Sequence, residues 1–127
     1  MRKFVFWTGI YDIVMAGTLA CPRVVKMLRV PLPDSYFWLW FAAALVMYLG
    51  VVLVISSRNI KARAPLIYWE GILRLVGFLL MAGFGLFGGL GLAVTLLGVV
   101  DLGIGMVYII GLPKALNTTP MNILLDQ

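Results

Sequence analysis

Four ionisable side chains, Asp12, Glu70, Arg74 and Asp101, stand within otherwise apolar stretches of the chain. Carboxylates in such surroundings can bind a proton, a cation or a polar headgroup. A guanidinium stays charged, and its planar fork can engage two carboxylates at once. A lone Asp or Arg at mid-bilayer costs at least about 2.5–3.5 kcal/mol, so ionisable groups at that depth turn toward one another. Glu70 precedes Arg74 by one helical turn, where an i,i+4 pair assists. The expected arrangement is a cluster of Asp12, Arg74 and Asp101, with Glu70 alongside. Three acids around one base are not expected all to ionise away from water, so one carboxyl should hold a proton or open onto solvent. Tyr11, Tyr108 and Thr95 are the expected hydrogen-bond partners. Such a cluster could equally do no more than fix which helices pair and in what register.

What accompanies these residues limits their chemistry. The chain has no His and one Cys. Imidazole bases, His-based metal or haem ligation, a Cys-x-x-Cys redox pair and an internal disulfide are therefore excluded. The acids have no nucleophile, metal site or cofactor motif beside them. The expectation is a non-enzymatic protein without a cofactor.

The elements that must position the cluster are set by composition. Of the 127 residues, 63% are hydrophobic and only 12% charged, with a mean hydropathy of +1.07. Soluble domains run about 45–50% apolar and about 25% charged. A chain this small cannot enclose so much apolar surface, so lipid must be its solvent. Apolar runs at 4–20, 36–56, 66–87 and 91–112 are each long enough to cross a bilayer as helix, which takes about 17–25 residues. Together they predict an all-α, antiparallel four-transmembrane-helix bundle in one domain, 1–127, ending in a short tail. Arg2 and Lys3 before an apolar run also fit a signal peptide, but Asp12 interrupts the apolar core and argues against cleavage. At about 1.5 Å per residue, Asp12 and Arg74 lie about 12 Å and Asp101 about 17 Å from the cytoplasmic ends of their spans.

Orientation follows from the basic residues. Arg2, Lys3, Arg58, Lys61, Arg63 and Lys114 fall on one side, and Arg23, Lys26 and Arg29 on the other. The excess puts both termini in the cytoplasm. Arg23, Lys26 and Arg29 recur every third residue while Val24, Val25 and Leu28 share another face, which predicts a short interfacial helix at 22–30. Pro22 suits its first turn, and Pro31 and Pro33 stop it. Arg58, Lys61 and Arg63 are expected to touch anionic lipid, and Trp38, Trp40 and Trp69 to anchor at the interface. Nucleic acid is not an expected partner, because the charges are few and pressed against the membrane.

Two further patterns concern how the spans pair. Gly83, Gly85, Gly88, Gly89 and Gly91 crowd between spans three and four, which predicts a tight hairpin through Gly88-Gly89. Segment 7–14 and segment 69–76 share Trp, Gly, Ile and Val at an offset of 62, which makes Asp12 and Arg74 equivalent positions of two repeats.

Tyr11-Asp12, the step at Pro22 into an amphipathic stretch, the Leu28…Leu32-Pro33 segment, Arg74 and Asp101 together resemble small bacterial four-helix membrane proteins of the DoxX-like type. The resemblance implies a four-helix bundle and transfers no activity. Redox roles suggested for some such proteins have neither a cysteine pair nor a histidine to act through here. The chain is also similar to small multidrug transporters in length and in an acid within span one. By that likeness Asp12 would alternately bind a proton and a cationic substrate. Those proteins carry Glu there and have short loops, and here Arg74 would already occupy the acids. The expected role is an accessory or scaffold subunit of the bacterial inner membrane, with the bilayer, other membrane subunits or a second copy as partners. A proton-coupled transporter or apolar-ligand binder using Asp12 and Asp101 is the alternative.

Overall fold

Proline, serine and glycine bound most of the apolar runs, and several helix ends fall at or beside them. The computed structural model describes residues 1–126, and every regular element among them is helical. Helix α1 spans Arg2–Ala20 and stops at Cys21, whose backbone is extended (φ −102°, ψ 103°) as its position before proline favours. Pro22 then opens α2, Pro22–Met27. This helix is shorter than the predicted 22–30, because Arg29 takes a left-handed backbone (φ 58°) that turns the chain. Helix α3 spans Tyr36–Ser56, and its first turn is capped by Ser35 Oγ accepting from the Phe37 amide at 3.3 Å. Helix α4 spans Ala64–Leu86, with Pro65 in its opening turn.

The last long rod, Leu92–Leu116, runs four residues past the predicted end at 112. It comprises α5 (Leu92–Met106), a π-helical turn (Val107–Gly111) and α6 (Leu112–Leu116). Pro113 lacks an N–H and its ring crowds the carbonyl four residues earlier, which normally breaks a helix. The wider π turn just before it makes room, and the rod continues. Left-handed Asn117 (φ 50°) ends it, with the Thr118 amide donating to the Pro113 carbonyl at 3.1 Å. The tail is not loose: α7, Pro120–Leu124, is capped by Thr119 and buries Ile123.

Three helices are long and apolar enough to cross a membrane: Tyr36–Ser56, Ala64–Leu86 and Leu92–Leu116. Helix α1, which carries Arg2, Lys3 and Asp12, is not among them.

Helix α1 packs chiefly along α3, and α4 along α5, with little backbone proximity between the two pairs. Glycines set both contacts. A Cβ on Gly50 would come within 2.8 Å of the Gly9 carbonyl oxygen and 3.0 Å of the Asp12 Cβ. A Cβ on Gly105 would come within 3.0 Å of the Gly71 carbonyl oxygen and 3.3 Å of the Arg74 Cβ. Gly9 and Gly71, and Asp12 and Arg74, are the equivalent residues of the two related segments, so each half makes the same glycine crossing beneath its charged residue. In the turn between α4 and α5 the left-handed glycines are Gly89 (φ 77°) and Gly91 (φ 94°), not the expected Gly88-Gly89 pair. Gly88 lies so close to Phe84 that a Cβ would sit 2.9 Å from that residue's carbonyl oxygen.

The apolar core gathers at one end, where Val5, Leu53, Ala64, Ile67, Tyr68, Tyr108, Leu112 and Ile123 are buried together. Residues from α1, α3, α4, the long rod and α7 all contribute. This end fixes the register of both helix pairs just below the charged residues.

Candidate functional site

Arg74 on α4 is the centre of the site. Its Nη2 donates to Asp12 Oδ2 on α1 at 2.6 Å, and its Nη1 donates to Asp101 Oδ1 on α5 at 2.6 Å. Nε lies 2.6 Å from Glu70 Oε1, one turn away on the same helix. That approach is an ion-pair contact without hydrogen-bond alignment, which leaves the Nε–H and Glu70 Oε2 buried with no partner in line. Arg74, Asp12 and Glu70 side chains are each no more than 7% exposed, while Asp101 reaches 18%. The four charged residues singled out by spacing thus meet in one place, fed by three helices.

Local sequence explains the geometry. Gly50 and Gly105 let α3 and α5 approach the backbones that carry Asp12 and Arg74. Gly77 lies one turn beyond Arg74, and a Cβ there would sit 3.9 Å from Asp101 Oδ2.

Among the described residues none of the three expected partners hydrogen-bonds to a cluster residue. Tyr108 is fully buried, but its hydroxyl pairs with Thr8 Oγ1 on α1, and Thr8 also donates to the Val5 carbonyl at 3.0 Å. Phe4 packs edge-on against the Tyr108 ring, with centroids 5.6 Å apart. Thr95 sits near the α4–α5 turn, three residues into α5 against Gly85, and its hydroxyl points to the Gly91 carbonyl at 3.4 Å. It lies too near the helix start to reach Asp101. Tyr11 makes no side-chain hydrogen bond among the described residues. Thr8 is the residue that spacing missed. Its place one turn before Asp12 on α1 was the available signal.

The peripheral residues divide as well. Arg23, Lys26, Arg29, Arg58 and Lys61 are exposed, as are Trp38, Trp40 and Trp69. Arg63, also expected at lipid, is half-buried and donates from Nη1 to the Ile55 carbonyl, which the Arg58 amide reaches as well at 3.2 Å. A cation beside the last carbonyls of α3 suits the helix dipole.

Among the described residues no group of three His, Cys, Asp or Glu side chains is placed to hold a metal ion. Comparison with family models, with curated proteins and with solved structures returns no match to the chain.

Proposed function

We propose that the chain is an antiparallel four-span bundle of a bacterial inner membrane, with both termini cytoplasmic, serving without catalysis as an accessory or scaffold subunit. In this reading α1 is the fourth span. Its one interior charge, Asp12, is met by Arg74, which offsets the cost of carrying it across lipid. The antiparallel arrangement is supported by contacts whose numbers run in opposite senses: Gly71 with Tyr108, Gly98 with Met81, and Gly85 with Thr95. Gly9 meets Val54 while Ile13 meets Gly50, and the same sense follows for α1 and α3.

The observation that carries the accessory role is the engagement of Arg74 on all sides. A guanidinium that meets three carboxylates from three helices, with both Nη atoms in hydrogen bonds and Nε in an ion-pair contact, suits a clamp better than a mobile carrier. Outward, α3 exposes Trp38, Phe41, Leu45 and Tyr48, an apolar face suited to lateral contact with lipid or other helices. Arg23, Lys26, Arg29, Arg58 and Lys61 would meet headgroups, with Trp38, Trp40 and Trp69 at the interface.

Mild-detergent extraction followed by native electrophoresis tests the role. The chain should migrate in a stoichiometric assembly well above its own 14.0 kDa. Migration as a single lipid-bound chain would overturn the accessory reading. For the topology, in a Cys21→Ser background, Lys61→Cys and Asn122→Cys should label from one side of the membrane and Lys26→Cys and Asp34→Cys from the other.

A second reading, a proton-coupled carrier using Asp12 and Asp101, is favoured by one observation. The cluster holds three acids against one base, and Glu70 Oε2 is buried without a partner. Uptake of a lipophilic cation driven by a proton gradient, and lost in Asp12→Asn, would replace the first reading with this one.

A further inference from the structure

A second charged feature lies away from the cluster, at the end of the molecule where α1 begins and α3 stops. A groove of about 390 Å³ is lined there by Arg2, Lys3, Phe6, Trp7, Val54, Ser57 and Arg58. The volume falls within the range of about 300–1,000 Å³ typical of small-ligand sites. Three cations from two separate parts of the chain converge on it, and no Asp or Glu lines it. Among the described residues none of the three is in an ion pair. Next to Arg2 and Lys3 the lining is apolar: Trp7 and Phe6, one turn further along α1, pack edge-on with centroids 5.7 Å apart, and both are exposed. Arg58 lies two residues beyond Ser56, the last residue of a helix long and apolar enough to cross a membrane.

We propose that this groove binds one anionic phospholipid, its phosphate held by Arg2, Lys3 and Arg58 and the start of its acyl chains laid along Phe6, Trp7 and Val54. Charge alone would suit any phosphate. The adjoining aromatic wall and the end of an apolar helix select a phosphate that carries hydrocarbon. Trp and Tyr favour that depth because one part of the ring is apolar and another is wet. The inference rests on α1 and α3 both crossing the bilayer, and it adds a defined lipid to that reading.

Native mass spectrometry of the full chain from detergent micelles tests it, with phosphatidylglycerol, phosphatidylcholine and glycerol phosphate as probes. Phosphatidylglycerol should be retained in preference to phosphatidylcholine, and glycerol phosphate should not displace it at equal concentration. Arg58→Gln should weaken retention about fivefold, the scale of one basic side chain at an anionic surface, while Arg58→Lys keeps it. Lys114→Gln, an exposed cation that does not line the groove, should leave binding unchanged. Equal losses in Arg58→Gln and Lys114→Gln would mean diffuse attraction and overturn the site. Displacement by glycerol phosphate would overturn the lipid. If Lys61→Cys and Asn122→Cys label from opposite sides, the four-span reading fails first. If the topology holds and phosphatidylglycerol is not preferred, this inference alone fails.

Discussion

Asp12 and Arg74 occupy the same position of two related segments and also touch, Oδ2 to Nη2 at 2.6 Å across 62 residues of chain. The equivalence extends beneath them, where Gly50 meets Gly9 and Gly105 meets Gly71. Opposite charges therefore face each other from matching places in the two helix pairs, and this contact is a main tie between halves whose backbones otherwise stay apart.

Breaking the tie from one side should be costly. Arg74→Leu leaves two buried carboxylates and the part-buried Asp101 without a cation and should destabilise by about 3–5 kcal/mol. Adding Asp12→Leu removes one orphaned acid and should restore part of the loss. Reversible unfolding of the reconstituted protein measures both, and equal stabilities for the single and double variants would contradict a direct pairing.

The acids should differ among themselves. Glu70 reaches Arg74 without an aligned hydrogen bond and has one oxygen unpartnered, whereas Asp12 accepts directly from Nη2. Glu70→Gln should cost less than about 1 kcal/mol, and Asp12→Asn about 1.5–3 kcal/mol, the range for hydrogen bonds to charged groups. The reverse order in the same unfolding assay would count against this geometry.

The charged cluster was legible in the sequence because an ionisable group in an apolar helix has few stable places to go. Position along each apolar run puts Asp12, Arg74 and Asp101 at similar levels. Azimuth was not legible in the same way. Helices that are apolar nearly all round carry little periodic signal about which face points inward, so spacing alone does not reveal that Tyr108 pairs with Thr8 or that Thr95 turns to the Gly91 carbonyl. The π turn before Pro113 was hidden for a different reason. Proline announces that a helix must adapt, but whether it stops or widens depends on the neighbours that hold both sides in place. Here Tyr108 within the turn and Leu112 just after it are fully buried and hold the rod on course.

The Thr8–Tyr108 pair links the halves a second time, one turn nearer the core. Tyr108→Phe and Thr8→Val should each cost about 0.5–1.5 kcal/mol. A double-mutant cycle should show coupling near about 0.6 kcal/mol, the average for hydrogen bonds between membrane helices. Strict additivity would show that the two hydroxyls do not interact.

Glycine substitutions should separate by location. Gly50→Ala and Gly105→Ala drive a methyl against a facing backbone oxygen at 2.8 and 3.0 Å, and should cost about 1–3 kcal/mol. Gly17→Ala and Gly103→Ala meet nothing within 4 Å and should be neutral or mildly stabilising. A uniform response across the four would sink the glycine crossings as the basis of helix pairing.

The little backbone proximity between the two helix pairs has a consequence for assembly. The stretch from Ser57 to Arg63 joins two units that recognise each other through side chains rather than through the peptide between them. Severing that stretch should yield two fragments, each a hairpin with its own glycine crossing, that find one another when co-expressed. Such pieces could also exchange between neighbouring copies, so that one molecule's guanidinium comes to rest among the acids of another.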